Sequence, residues 1–324
     1  MIVVAGEALI DLVPQVVVPG DAVPGDGDDR PGRARSAAGP LPALAPRLGG
    51  GPYNTAVALG RLGSPVAFCS RVSRDPFGEA LLDGLRSAGV DVSPVQRGDE
   101  PTTLAVASIG ADGSAGYSFY VEGTADRLFA VPDTLPAATR AVSFGTCSLV
   151  LEPGATAYEE LMRSASSQGV FTALDPNIRA GLIADADSYR ARFKSWLPST
   201  TLLKLSEEDA QWLGGTPQEW LASGPAAVVV TRGGEGLTAF TRGGGVYSVP
   251  GERVDVVDTI GAGDTVNAAL LHGLSQQNAL SATGVAGLEG DGWARLLRFS
   301  AHAAAITCSR EGAEPPFASE LGAL

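Results

Sequence analysis

Short apolar runs alternate with helix-forming stretches through the second half of the chain: AVSFG (141–145), a helix near 155–168, VFTALD (170–175), TLLKLS (201–206), a helix from Glu207, and AAVVVTRGG (226–234). Runs this short and this apolar suit strands covered on both faces. Repeated strand–helix units need crossover connections, so they imply an α/β fold: a central, mostly parallel sheet with helices on both faces.

The rest of the chain extends this pattern. IVVAG (2–6) and VAFC (66–69) read as buried strands, with a helix between them from Tyr53 to Leu62. Phe77, Leu81 and Leu85 recur at every fourth residue and mark another helix. TTLAVASIGADGSAGYSFYV (102–121) predicts a hairpin turning at Asp112 and Gly113, and 236–249 a second one. Helices over 263–274 and 291–309 close the chain. The passage QVVVPGDAVPGDGDDRPGRARSAAGPLPALAPRL (15–48) is a long loop, rich in Gly, Pro and Asp. No internal repeat or linker divides the sequence. The expectation is one domain over 1–324 with a small β-rich lid built from about 12–48 and 100–124.

Composition narrows the partners. At 324 residues the chain can bury a substantial core, and 44% hydrophobic with 18% charged residues describes an ordinary globular protein. A formal charge of -13, with Lys194 and Lys204 as the only lysines, argues against nucleic acid and anionic membrane surfaces. A polyanion such as ATP then has to be held by backbone dipoles, a few arginines and a metal ion. Cys69, Cys147 and Cys308 have neither metal-ligand nor CxxC spacing and read as reduced thiols. The N-terminal MIVVAGEALIDLV has no basic start and is interrupted by Glu7 and Asp11, so no secretion signal or membrane span is expected and the protein reads as cytoplasmic.

Ligands of open parallel sheets bind beyond the carboxyl ends of the strands. There the sequence places Asp11, the DPNIR segment (175–179), Ser206 to Asp209, and Thr231 to Gly236. Each alone suits an ordinary turn or cap; together they form a ring of acids, hydroxyls and glycines. The stretch DTIGAGDTVN (258–267) adds two glycines and an acid where a helix begins. Gly261, Ala262 and Gly263 leave consecutive amides uncovered, a cavity for a phosphate or a developing oxyanion. Asp264 is either a helix-terminal cap or, beside that phosphate, a base. No GxxxxGK[ST], HExxH or GxSxG occurs, and Val266 stands where a dinucleotide fingerprint needs its third glycine.

Two motifs now coincide: GGGPYNTAVALGRLG (49–63) and, far downstream, DTIGAGD (258–264). In this order and separation the chain resembles the ribokinase-like (PfkB) carbohydrate kinases over essentially its whole length. The resemblance implies an ATP- and Mg²⁺-dependent phosphotransferase, with Asp264 as catalytic base and Gly261, Ala262 and Gly263 as anion hole. It implies that Asp11, Gly49, Gly50 and Asn54 meet the acceptor hydroxyls, although Asn54 suits helix capping equally well. Glu152 and Arg179 are further substrate candidates, a surface ion pair being the plain alternative for Arg179. For the nucleotide it points to Lys204, Ser206, Thr231, Gly233, Gly236 and His302; the turn glycines also suit a bare hairpin, and His302 a packed neutral imidazole. Asp209 stands where the family carries a glutamate associated with magnesium-bound water. Asp258, with carbonyls of Ile260, Thr307, Arg310 and Gly312, matches the family's monovalent-cation site, potassium being the ion implied; Pro316 departs from the serine of some members.

GEALIDLVP, ALGRLG and YVEGTADR are most similar to fructokinases, and Leu9 replaces an asparagine that ribose-specific members present to their sugar. The expected acceptor is D-fructose, at its 6-hydroxyl. Ribose, 2-keto-3-deoxygluconate and nucleosides remain as alternatives, as do a catalytically silent binding protein and a dinucleotide-dependent oxidoreductase. Tyr53 and the 16–48 insertion lie where they would influence the choice, and a homodimer through the lid is the expected assembly.

Overall fold

A computed structural model describes residues 1–15, 42–109 and 115–322. In chain order the strands and helices are β1 (Ile2–Ala5), β2 (Leu9–Pro14), β3 (Leu44–Gly49), α1 (Gly51–Arg61), β4 (Val66–Cys69), β5 (Arg71–Ser73), α2 (Pro76–Ser87), β6 (Gln96–Gly98), β7 (Leu104–Ile109) and β8 (Ala115–Tyr120). They continue with β9 (Ala141–Gly145), α3 (Gly154–Ser167), β10 (Phe171–Asp175), α4 (Ala186–Trp196), β11 (Leu202–Ser206), α5 (Glu207–Leu213), α6 (Pro217–Ser223), β12 (Ala227–Thr231), β13 (Leu237–Thr241), β14 (Val246–Val249), α7 (Ala262–Gln276), α8 (Ala282–Ala286) and α9 (Gly290–Cys308).

The large sheet has eight strands in the order β14-β13-β12-β11-β10-β9-β1-β4. Six are parallel, from β12 to β4, and β13 and β14 add an antiparallel edge. Because side chains alternate across a strand, β1 feeds two cores. Ile2 and Val4 join α1, α2, α7 and α9 on one face. Val3 and Ala5 join α3, α4 and α6 on the other. This is why β1, β4, β9 and β10 are buried at every position and read as unbroken apolar runs. Local signals set the helix starts: Asp75 caps α2 by accepting from Gly78 N–H, and Asp185 caps α4 through Asp187 and Ser188 N–H.

A second sheet, in the order β3-β2-β7-β8, holds the hairpin read from 102–121, whose Asp112–Gly113 turn lies outside the described residues. Part of the reading is corrected here. Leu44–Leu48, read within the long loop, belong to a strand that runs antiparallel to Leu9–Pro14, from Gly49 opposite Leu9 to Leu44 opposite Pro14. Pro14 and Pro46 and the polar Asp11 and Arg47 obscure their period, and the partners lie far apart in sequence. The remainder of the 15–48 passage, residues 16–41, lies outside the described residues. The helix marked by Phe77, Leu81 and Leu85 is α2, in which Leu81 and Leu85 are buried and Phe77 is 38% exposed. No helix among the described residues is long and apolar enough to cross a membrane.

Candidate active site

Strand order reverses at β1, which lies between β4 and β9, so a crevice opens at the carboxyl ends of β1 and β9. The cleft there measures about 480 Å³ and is lined by β2 and β8 of the second sheet, by the segments that follow β9 and β10, and by the starts of α1 and α7. Asp11, Gly50, Asn54, Arg179, Asp258, Ile260, Gly261, Gly263 and Asp264 all border it, from four separate stretches of the sequence.

Asp264 is the third residue of α7, 8% exposed. Gly261 caps that helix in the left-handed region at φ 77°, and a Cβ on it would lie 2.6 Å from the Ala313 Cβ, so glycine is required twice over. The amides of the first turn have no intrahelical acceptors, and the helix dipole adds positive potential at the same place. Asn54 donates its Nδ2–H to Asp264 Oδ2 at 2.9 Å, fixing the carboxylate. Asn54 therefore does not cap α1; Gly50 occupies that position. Burial pushes the Asp264 carboxyl up to about 6; the Asn54 bond opposes the rise, the negative Asp175 adds to it, and Lys204 and Arg179 oppose it.

Lys204 ends its side chain beside the start of α7. Its Nζ donates to Asp175 Oδ2 at 2.8 Å in a fully buried setting, and a Cβ added to Gly263 would come within 3.0 Å of it. The ammonium thus faces the same uncovered amides. An ammonium at the positive end of a helix is unfavourable by itself and complements an incoming anion.

On the opposite wall, Asp11 comes from β2, and a Cβ on its neighbour Gly49 would fall 2.0 Å from Asp11 Oδ2. Glycine there lets the carboxylate lie against the backbone. Burial raises the Asp11 carboxyl to about 6, with Arg179 opposing. The Arg179 guanidinium is steadied by Asn177 Oδ1 at 2.7 Å, and Asn177 itself adopts φ 39°.

Other candidates are placed differently. Glu152 turns away from the cleft: it pairs with Arg192 at 2.9 Å and accepts from Thr156 N–H and Oγ1–H. Asp209 forms a reciprocal capping box with Ser206 on α5 and accepts Ile178 N–H at 2.8 Å, so both carboxylate oxygens hold backbone and tie α5 to the Asn177–Arg179 segment. Among the described residues no cluster of three or more acids, histidines or cysteines is placed to hold a metal. His302 pairs its Nδ1 with Glu252 Oε2 at 2.5 Å on the surface rather than packing inside. Thr231 ends β12. Gly233 (φ 49°) and Gly236 (φ 104°) make the tight turn into β13, tied to α5 by Arg232 and Glu207 at 3.6 Å.

Asp258 bridges two segments, accepting from Ile260 N–H and Gly312 N–H, both at 3.0 Å. Thr307, buried, bonds its hydroxyl to Thr265 on α7. The Thr307 carbonyl accepts from Arg310 N–H and the Gly312 carbonyl from Glu314 N–H. The residues expected around a monovalent cation thus lie on the loop before α7 and on the last turn of α9 with the loop that follows it.

Several cleft residues escaped the sequence reading as site residues: Glu7, Tyr117, Phe119, Thr146 and Cys147; Asn177 lies in the DPNIR segment read there. Tyr117 and Phe119 sit two apart on β8 and stack at 6.1 Å, a period-two signal that marked the strand without saying what it faces. The left-handed Thr146, at φ 63°, has no sequence signal, since a β-branched residue rarely adopts that conformation.

Fold and cleft together place a buried carboxylate beside the uncovered amides of a helix mouth in an α/β protein. Comparison with known proteins specifies the class: the chain belongs to the pfkB family of carbohydrate kinases, whose description matches residues 29–320. It is therefore a phosphotransferase with an alcohol acceptor. It is 39% identical to a fructokinase of Rhizobium leguminosarum bv. trifolii over 298 residues, covering 89% of this chain and 84% of that one. A fructokinase of Escherichia coli is 32% identical over 84% of this chain and 83% of its own. Among solved structures, the fructokinase of Xylella fastidiosa with bound ATP superposes with a TM-score of 0.83 at 28% identity, covering 98% of this chain and 96% of that one.

Proposed function

We propose that this kinase transfers the γ-phosphoryl group of ATP to the 6-hydroxyl of D-fructose. The observation that carries the chemistry is Asp264, held by Asn54 at the uncovered amide end of α7 with Lys204 alongside. The carboxylate takes the proton of the sugar hydroxyl as that oxygen bonds to phosphorus. The bond to the departing ADP oxygen breaks, and the first-turn amides of α7 with Lys204 offset the negative charge. Asp11, Arg179 and the Asn54 amide orient the acceptor, while Tyr117 and Phe119 cover its apolar face and exclude water.

Magnesium in this reading arrives with the nucleotide, held by phosphates and water. Such an ion neutralises phosphate charge when bound. Ser206, Thr231, Gly233, Gly236 and His302 are the nucleotide side of our reading, and Asp258 with the 307–312 loop the potassium side. The second sheet acts as the lid, and its exposed Leu44, Leu48 and Tyr120 support a homodimer through it. Fructose is favoured because the similar proteins named above are fructokinases.

A coupled ADP-release assay over D-fructose, D-ribose, 2-keto-3-deoxygluconate and a nucleoside tests the assignment. The highest kcat/KM is expected for fructose, with phosphorus NMR locating the product phosphate on C6. Strong turnover of another acceptor with none of fructose would end it.

A further inference from the structure

Glu7 plays no part in the transfer described above, yet it lies where three walls of the cleft meet. It occupies the crossing from β1 into β2 and is 1% exposed. Its Oε2 accepts from Ser148 N–H at 2.9 Å, and its Oε1 has no protein partner. Burial raises the carboxyl to about 7, so the group is costly to keep and its retention calls for a reason.

Ser148 belongs to the helical turn Thr146–Leu149 that follows β9, whose Thr146 and Cys147 line the cleft. Thr146 holds a left-handed backbone that a β-branched residue adopts only when its surroundings impose it. The Glu7 bond to Ser148 is one such restraint. The turn in turn abuts the start of α1: a Cβ on Gly51 would sit 2.5 Å from Thr146 Oγ1 and 3.2 Å from Asp264 Oδ1. Main-chain packing at Glu7 reaches the same loop, because a Cβ on Gly50 would lie 2.9 Å from the Glu7 carbonyl oxygen. One on Gly6 would strike Pro52 Cγ at 2.3 Å.

We infer that Glu7 is a positioning residue for the acceptor: its carboxyl fixes the Thr146–Leu149 turn and its main chain seats the Gly49–Gly51 loop, which together set the acceptor hydroxyl against Asp264. This rests on the reading of the cleft as the sugar site. The nucleotide side of the cleft is untouched by Glu7, so the effect is selective.

Steady-state kinetics of Glu7→Ala and Glu7→Gln test it. In Glu7→Ala the acceptor KM rises about tenfold, the loss expected for a buried charged hydrogen bond, while the ATP KM stays within about twofold. Glutamine still accepts from Ser148 N–H, so Glu7→Gln returns the acceptor KM to within about threefold of the parent. Should Glu7→Ala fail to fold, Glu7→Asp, whose carboxyl is withdrawn from Ser148, carries the same expectation. An unchanged acceptor KM, acceptor and ATP KM rising in step, or Glu7→Gln as impaired as Glu7→Ala would each overturn the inference. Acceptor turnover by the parent chain separately tests the cleft's assignment, so the two failures are distinguishable.

Discussion

The eight-stranded and the four-stranded sheet flank one cleft but are built differently. In the large sheet, β1, β4, β9 and β10 are buried along their whole length, and helices cover both faces. In the second sheet, β3 is exposed or half-exposed at every residue but Gly49, and β2 is buried only at Leu9 and Ile10. Each side nevertheless contributes an acid raised to about 6 by burial: Asp264 from the helix packed on the large sheet, Asp11 from β2. The groups tied to the large sheet are held by dense packing, as chemistry at a reacting atom requires. Those on the second sheet owe their burial to the cleft itself, which suits a surface that admits and covers a substrate.

The sharpest test is Asp264→Asn. It should lower kcat by about 10²–10⁴-fold, the usual range for losing a general base, with circular dichroism unchanged. The same substitution should stabilise the protein. A carboxyl whose folded pKa lies above its unfolded value contributes stability that is complete below about pH 4 and lost as pH rises through about 6. Removing the ionisable group should therefore gain on the order of 2 kcal/mol above pH 6 and little near pH 4, read by denaturant unfolding at both values. In the parent chain, kcat/KM should fall as pH drops below about 6, because the base must be ionised.

Next in size is packing. Leu203→Ala, at a fully buried position of β11, should cost about 2–5 kcal/mol in urea unfolding. Tyr117→Ala and Phe119→Ala on β8 should leave unfolding nearly unchanged and raise the acceptor KM by up to about tenfold. The smallest effect is expected of Leu48→Ala on β3, where the side chain is 37% exposed and the loss should stay under about 1 kcal/mol. Equal losses for Leu203→Ala and Leu48→Ala would erase the contrast between the sheets.

Legibility in the sequence followed the same division. The large sheet could be read because each of its buried strands is a local apolar run. The start of α7 could be read because its glycines and Asp264 are contiguous. The pairing of β2 with β3 could not, since Pro14, Asp11 and Arg47 hide the period and the pairs join residues from 30 (Pro14 with Leu44) to 40 (Leu9 with Gly49) positions apart. Glu152 and Asp209 illustrate the limit for single side chains. Both are acids near strand ends, but neighbours decide their direction: Arg192 draws Glu152 away, and two backbone amides occupy Asp209.

The order of residues by itself determined the α/β class, the helix whose mouth carries GAGD and the place of Asp264 in its first turn, because each depends on short-range pattern and backbone freedom. Only the tertiary structure decided that Asn54 grips Asp264, that Lys204 reaches the same helix mouth, and that Glu7, Thr146 and Tyr117 shape the cleft. Those contacts join segments dozens to more than two hundred residues apart, and no local preference encodes which distant side chain will arrive.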